Sequence, residues 1–413
     1  MTSSMTSSMT SSVDTHHRLL AARPGPPPLD AYPGADGRER LIAAVEASGL
    51  RGRGGAGFPT GRKLRAVAAG RGPATVLVNA CESEPVSGKD HALLSHAPHL
   101  VLDGAVLAAH AVRADRIVVC LPDGDPLGHA LSAVLATRTD PVPVNLQPVP
   151  HRYVASEESA LVNLLNTGDA RPTTRPPRPD RKGVHGRATL IGNAETLAHV
   201  ALVARHGPDW FRTAGTADSP GTMLVTVGGA VREAGVREVA CGTPIGDVLG
   251  AAGATPDAPA VLVGGIAGTW LPLPSAAAVP LAHRELAGAG AALGVGALFV
   301  LPADACGLAE TARIVRYLAG ESAGQCGPCV FGLPAIADDL AQLVHGHAAV
   351  VPRLRHRLGI TPGRGACRHP DGAARVASSA LVTFAADVER HLAGHGCVHM
   401  GRSHVPLPGQ EPR

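Results

Sequence analysis

Between Gly49 and Lys63 the chain reads Gly-Leu-Arg-Gly-Arg-Gly-Gly-Ala-Gly-Phe-Pro-Thr-Gly-Arg-Lys, and no other stretch restricts the possible folds as much. The five glycines from Gly52 to Gly61 remove Cβ atoms that would hold a ligand off the backbone, so successive N–H groups can close around an anion. Arg51, Arg53 and Lys63 add positive charge. A phosphate, a pyrophosphate or a flavin phosphate would suit such a loop, although neither the Walker pattern nor a clean dinucleotide fingerprint fits it as written. A flexible surface loop is the bland alternative.

The 413 residues are enough for about two to four domains, and 45% apolar against 17% charged residues places the chain among globular proteins. A formal charge of +3 gives no reason to invoke nucleic acid or a membrane surface. Three copies of Met-Thr-Ser-Ser open the chain without an apolar h-region, which reads as a tail and not as a secretory signal. The uncharged run 286–301 falls short of the ~20 residues of a membrane span and is broken by glycines; a buried strand with its turn is expected there, and no transmembrane segment. Eight cysteines without a signal peptide point to a reducing cytoplasm, where thiols act as ligands or core residues.

Apolar periodicity predicts a helix over Asp36–Ser48, stopped by Gly49, which delivers the chain into the glycine loop. Ala74–Asn79 then reads as a strand feeding Ala80-Cys81-Glu82-Ser83-Glu84-Pro85, polar residues at the strand end where open α/β sheets place ligand chemistry. A helix over His99–Ala111 and a strand over Arg116–Leu121, with Cys120 as a small core residue, complete a strand–helix–strand unit and imply a parallel sheet. Tyr153-Val154-Ala155-Ser156-Glu157-Glu158 precedes another apolar helix, whose acidic start would in any case complement the helix dipole. From Gly221 short strands take over around a helix at Ile245–Ala251, the profile of a small β-grasp unit. Helices follow over Cys306–Ala319, Leu333–Val344 and Val376–Leu392. Cys241 and Cys306 are assigned to packing. His391, His395, Cys397 and His399 gather near the end, read as a polar tail with a metal site as the alternative.

The glycine loop as a whole closely resembles that of the 51 kDa flavoprotein subunit of respiratory complex I and its soluble hydrogenase and formate dehydrogenase relatives. In that family the loop lies against FMN, and the nicotinamide of NADH stacks on the flavin. The resemblance continues, collinearly, through three further segments between Asp36 and Leu392. Asn79, Glu82, Ser83, Glu84, Pro85, Lys89 and Asp90 match the family's Asn-Ala-Asp-Glu-Ser-Glu-Pro segment, with Cys81 in place of an aspartate. Tyr153, Glu157 and Glu158 match its Tyr-x-Cys-Gly-Glu-Glu-Thr segment, with Ser156 in place of a glycine. Asn193, Glu195 and Thr196 match its Asn-Asn-Val-Glu-Thr segment, with Gly192 in place of the first asparagine. By this resemblance Gly52, Gly54, Gly55, Ala56, Phe58, Lys63, Asn79, Glu82, Tyr153, Glu157 and Asn193 would bind cofactor, and Glu84 and Glu158 would position the nicotinamide for catalysis. Of the aromatics that sandwich the adenine in the family, Phe58 is kept and two positions are Ala66 and Arg178.

Cys326-Gly-Pro-Cys329 taken alone is also the thioredoxin motif, but it follows a predicted helix and not a strand. It resembles the family's Glu-Ser-Cys-Gly-x-Cys-x-Pro-Cys frame, in which a fourth, later cysteine completes a [4Fe–4S] site; Cys326, Cys329 and Cys367 fit three of the four places. The remaining place is Ala323, which offers no ligand atom. A [4Fe–4S] cluster with one non-cysteine ligand, a [3Fe–4S] cluster and no cluster all remain open.

The implied architecture is α/β: a tail to residue 35, a Rossmann-like FMN/NADH-binding domain over 36–220, a small β-grasp domain over 221–303, a helical iron–sulfur-binding domain over 304–400, and a second tail. The implied activity passes electrons from NADH through FMN and the cluster to an acceptor protein such as a ferredoxin or a thioredoxin-like iron–sulfur subunit. Two alternatives stand beside it: exchange with ferredoxin without NADH, and a cofactor-free interaction subunit.

Overall fold

The computed structural model describes residues 18–21, 25, 27–174, 177–397 and 403–409. Helix α1 (Gly34–Ser48) buries Leu41, Ile42 and Val45 and ends at Gly49, whose left-handed backbone (φ 72°) glycine adopts without strain. The loop crosses to α2 (Thr60–Ala68), which lies so close to α1 that a Cβ on Gly61 would come 2.4 Å from Glu46 Cγ. Thereafter run β1 (Ala74–Asn79), α3 (Lys89–His96), α4 (Pro98–Val112), β2 (Ala114–Pro122), α5 (Pro126–Ala136), β3 (Val144–Val149), α6 (Glu158–Thr167), β4 (Thr189–Asn193), α7 (Ala194–His206) and α8 (Pro208–Arg212).

The four strands form one parallel sheet in the order β3-β2-β1-β4. Alternate residues of β1 serve opposite faces, as the two-residue period of a strand requires. Val76 and Val78 join the large core under α1, α2, α4 and α7, while Leu77 meets Val118, Cys120 and Leu161 on the other side. Helices α4 and α7 cross at Gly104, where a Cβ would stand 1.8 Å from the carbonyl oxygen of Leu197. The expected strand–helix–strand unit and the buried Cys120 are present.

A mixed five-stranded sheet follows, built of β5 (Thr222–Gly229), β6 (Gly235–Ala240), β7 (Ala260–Val263), β8 (Thr269–Pro272) and β9 (Ala297–Val300), with α9 (Ile245–Ala251) and α10 (His283–Gly288). Its order is β6-β5-β9-β7-β8, with β5 and β9 parallel and the other pairs antiparallel. Val261, Val263 and Val300 face α9, whereas Leu262, Phe299 and Trp270 face the C-terminal helices. Those helices are α11 (Gly307–Gly320), α12 (Leu333–Val344), α13 (Val351–Ile360), α14 (His369–Thr383) and α15 (Ala385–Leu392). The helical stretch expected over Val376–Leu392 is broken at Phe384, whose ring packs edge-on against Trp270.

The two expected tails need correction where they are described. Leu19 is fully buried in the main apolar core, and the Glu238 carboxylate accepts hydrogen bonds from the backbone N–H groups of Arg18, Leu19 and Leu20. Val405 and Leu407 are buried among the C-terminal helices, and Glu310 accepts from the N–H groups of His404 and Val405. The repeats at the start of the chain and His399 lie outside the described residues. Among the described residues, no single helix is long and apolar enough to cross a membrane.

Candidate functional site

Asn79 ends β1, and its register partner Asn193 ends the neighbouring β4, so the two amides stand side by side at the carboxyl edge of the sheet. Asn79 Nδ2 donates to the Ser156 carbonyl (2.9 Å), which ties the start of α6 to this edge. Asn193 caps α7 by accepting from Glu195 N–H (3.1 Å), and its Nδ2 donates to Asp90 (2.6 Å). Beneath them Lys89 is almost wholly buried and bonds Asp90 (2.7 Å), Glu195 (3.0 Å) and Asn193 Oδ1 (3.0 Å). Burial opposes the Lys89 charge, but the flanking carboxylates of Asp90 and Glu195 outweigh it and hold its pKa above the ordinary lysine range.

The glycine loop closes on itself through Gly52 N–H to the Phe58 carbonyl (2.9 Å) and leans on the rest of the chain. A Cβ on Gly54 would come 3.1 Å from Asn193 Cβ, and one on Gly57 would strike the His283 ring at 2.3 Å. Gly55 (φ 112°) pairs with Gly294 of the second sheet's domain. Only Gly52 and Gly55 keep ordinary contact distances, 3.6 and 3.8 Å, from their nearest neighbours. Lys63 reaches from α2 to Glu158 (2.6 Å) and the Ile191 carbonyl (2.9 Å), still partly open to solvent. Phe58 is about half exposed.

The acidic residues divide by task. Glu82 caps α3, accepting from the N–H groups of Asp90 and His91 and from the Ser87 hydroxyl. Glu157 caps α6, accepting from the N–H groups of Ser159 and Ala160. Glu84 is buried, accepts from Ile266 N–H (2.9 Å) and Tyr153 O–H (3.0 Å), and burial pushes its pKa up to about 7 despite both bonds. Cys81, Glu82, Ser83, Tyr153 and Ser156 line one side of a cleft of about 210 Å³ that Tyr317, Glu321 and Pro408 close from the helical side. Ser156 fills part of it, 2.5 Å from the Ser83 hydroxyl. Burial, then the neighbouring Cys120 and Asp90, drives the Cys81 thiol pKa well up, so it stays protonated.

Tyr153 joins this edge to the helical domain: its N–H donates to Glu321 (2.8 Å), and its ring lies 5.5 Å from that of His369. Two residues before His369 is Cys367, and its thiol shares electrostatic surroundings with Cys326 and Cys329. The Cys326 and Cys329 thiols act on each other's ionisation, burial and then Cys326 raising the Cys329 pKa. Burial opposes the Cys326 thiolate, yet N–H donors led by Ala366 hold its pKa below the ordinary thiol value. Ala323, the place without a sulfur, offers only its backbone N–H toward Cys329, and burial outweighs it, so the Cys329 pKa stays raised.

The donors present fit both groups that the sequence implies. At the loop's far end Thr60 Oγ1 is buried without a hydrogen-bond partner, and α2 has no side-chain cap, which leaves donors for an oxyanion beside Lys63. Three thiols whose ionisation neighbouring backbone N–H groups favour are the kind of donor set that iron–sulfur clusters use. Reading the sequence missed His283 and the buried Lys89–Glu195 pair as neighbours of the loop. Adjacency of Lys89 and Asp90 was visible, but their burial arises only when β4 and α7 arrive.

Fold and site together define an α/β cofactor-binding protein that carries a β-grasp unit and a thiol-bearing helical domain. Residues 45–202 match the family model of the Nuo51 FMN-binding domain, and residues 309–391 that of the NADH-ubiquinone oxidoreductase-F iron–sulfur binding region. The chain belongs to the family of the NADH-quinone oxidoreductase F subunit, the 51 kDa flavoprotein of complex I. The F subunit of Streptomyces coelicolor is 31% identical over 377 residues, 86% of this chain and 84% of that protein. That of Mycobacterium tuberculosis is 32% identical over 387 residues, 86% and 85% of the two chains. Among solved structures, an NAD+-reducing [NiFe]-hydrogenase in the H2-reduced state is similar with a TM-score of 0.83 and 32% identity, covering 94% of this chain and 69% of that one.

Proposed function

We propose that this chain is the electron-entry subunit of an NADH-oxidising assembly, passing electrons from NADH by way of FMN and an iron–sulfur centre to a partner subunit. Bound FMN supplies hydride acceptance and one-electron release, and an iron–sulfur centre supplies single-electron relay. Within this reading Gly52, Gly54, Gly55 and Ala56 let the backbone approach the cofactor, Lys63 meets its negative charge, and Asn79 and Asn193 present amides at the strand ends. Glu82 and Glu157 hold the helix starts that border the site. Phe58 offers a half-exposed ring for base stacking, and Glu84 and Glu158 orient the nicotinamide nucleotide. Cys326, Cys329 and Cys367 supply thiolates to the cluster.

The observation that carries the proposal is the bridge at Tyr153. One residue bonds Glu84 at the sheet edge, bonds Glu321 before the Cys-Gly-Pro-Cys turn, and lies against His369 beside Cys367. A flavin held at the sheet edge and a cluster held by the thiols would therefore share one rigid neighbour. Val330 and Phe331, exposed immediately after Cys329, offer an apolar docking surface to an electron acceptor such as a ferredoxin or a thioredoxin-like iron–sulfur subunit. All eight cysteines are unpaired, which suits the reducing cytoplasm. The domain divisions at 36–220, 221–303 and 304–400 belong to the same proposal, since the sheets and helices change character at those points.

Anaerobic purification tests it. The expected protein releases FMN on denaturation, carries iron and acid-labile sulfide, and loses flavin absorbance on adding NADH. Protein that stays colourless after reconstitution with FMN, iron and sulfide would leave only the cofactor-free subunit; a flavin that NADH does not bleach but reduced ferredoxin does would reassign the donor.

A further inference from the structure

Cys306 caps α11, His391 lies near the end of α15, and Cys397 follows it in the chain. The sequence suggests packing for the first and, for the other two, a polar tail with a metal site as the alternative; the fold brings all three together. Among the described residues they form a group of potential metal ligands whose donor atoms all lie within 4.8 Å of one another. Cys306 is 4% exposed and His391 1%, while Cys397 is half-buried. The Val344 carbonyl lies 2.6 Å from His391 Nδ1 and can only accept, so Nδ1 carries a proton, and in the neutral imidazole Nε2 carries the lone pair. That lone pair faces two sulfurs, Cys397 at 3.1 Å and Cys306 at 3.4 Å. A single in-plane lone pair accepts one S–H well. Two sulfurs converging on it are better explained by an atom that belongs between all three.

Tetrahedral zinc, with Zn–S of about 2.3 Å and Zn–N of about 2.0 Å, holds its nitrogen and sulfur ligands about 3.5 Å apart. An opening of a few tenths of an ångström would admit the ion.

We infer that Cys306 Sγ, His391 Nε2 and Cys397 Sγ bind one Zn²⁺, with water in the fourth position on the open side at Cys397. Binding releases the two thiol protons and changes no oxidation state. The Nδ1–H bond to Val344 is the orienting contact that metal-bound imidazoles use. The site is built from residues other than the thiols of Cys326, Cys329 and Cys367, and it does not depend on flavin or NADH. Its consequence is mechanical. The ion would clasp the start of α11 to Cys397; later in the chain Val405 and Leu407 are buried and Pro408 lies at the mouth of the cleft beside Ser83 and Tyr153.

The test uses the full chain with Cys326, Cys329 and Cys367 all changed to Ala, titrated anaerobically with Co²⁺. The expected result is one equivalent bound, with the ligand-field bands of tetrahedral cobalt and thiolate-to-cobalt charge transfer, both abolished by Zn²⁺. Adding Cys397→Ser, at the half-buried ligand, should weaken binding at least tenfold while the far-ultraviolet circular dichroism stays unchanged. In the unaltered protein, a chelator that removes the zinc should speed carboxypeptidase trimming of the C terminus. The inference is overturned by an octahedral cobalt spectrum or no cobalt uptake, by a signal that survives both Cys397→Ser and His391→Ala, or by a Cys306–Cys397 disulfide in freshly isolated protein.

Discussion

Burial favours the protonated form of Glu84, so between the ordinary carboxylate pKa of 4.5 and about 7 the folded chain holds a proton that the unfolded chain has lost. Glu84 therefore contributes most to stability below about pH 4.5, and its contribution is lost as pH rises through about 7. Glu84→Gln keeps an acceptor for Ile266 and a partner for Tyr153 without the charge. Urea melts of the two proteins should diverge with rising pH, the variant gaining on the order of 2–3 kcal/mol relative to wild type by about pH 8. Parallel curves would place the charged carboxylate in water. Lys63 behaves differently, because its pair with Glu158 is partly solvated. Lys63→Ala should change stability by less than about 1 kcal/mol. Its effect belongs to the cofactor: flavin retention after gel filtration should fall at least tenfold, and full retention would remove Lys63 from the phosphate.

At the scale of elements, the helix layer over the parallel sheet depends on how closely α4 and α7 approach. Gly104→Ala would place a methyl group on the Leu197 carbonyl, with backbone on both sides and no flexible side chain to yield. A loss of about 3 kcal/mol or more is expected. Gly128, in α5 with nothing within 4 Å of its Cβ position, is the control. Gly128→Ala should gain up to about 1 kcal/mol from helix propensity, so thermal melts of the two variants should move in opposite directions.

Across the whole molecule, two carboxylates fasten the first and the last described segments. Glu238 holds residues 18–20 and the Thr222 hydroxyl, and Glu310 holds His404 and Val405. Both are buried, and each removal strands several N–H donors. Glu238→Ala should cost about 2–4 kcal/mol and open the N-terminal segment to limited proteolysis while the C-terminal strap stays protected. Glu310→Ala should reverse that pattern. Equal cleavage of both variants at both ends would mean that the ends are not held separately.

The sequence by itself determined the parallel-sheet unit, the glycine loop and the thiol frame, because strand alternation, helix periodicity and closely spaced motifs are local properties that survive in one dimension. Asn79 and Glu84 could be placed at a strand end because Ala74–Asn79 is apolar and then stops. Tertiary structure alone decided that Gly57 faces His283, that Lys89 is buried against Glu195, and that Leu19 and Val405 belong to the core. It also decided that Cys306, His391 and Cys397 meet. Those contacts join residues far apart in the chain, and their burial is set by the packing of other elements over them, which no local pattern encodes.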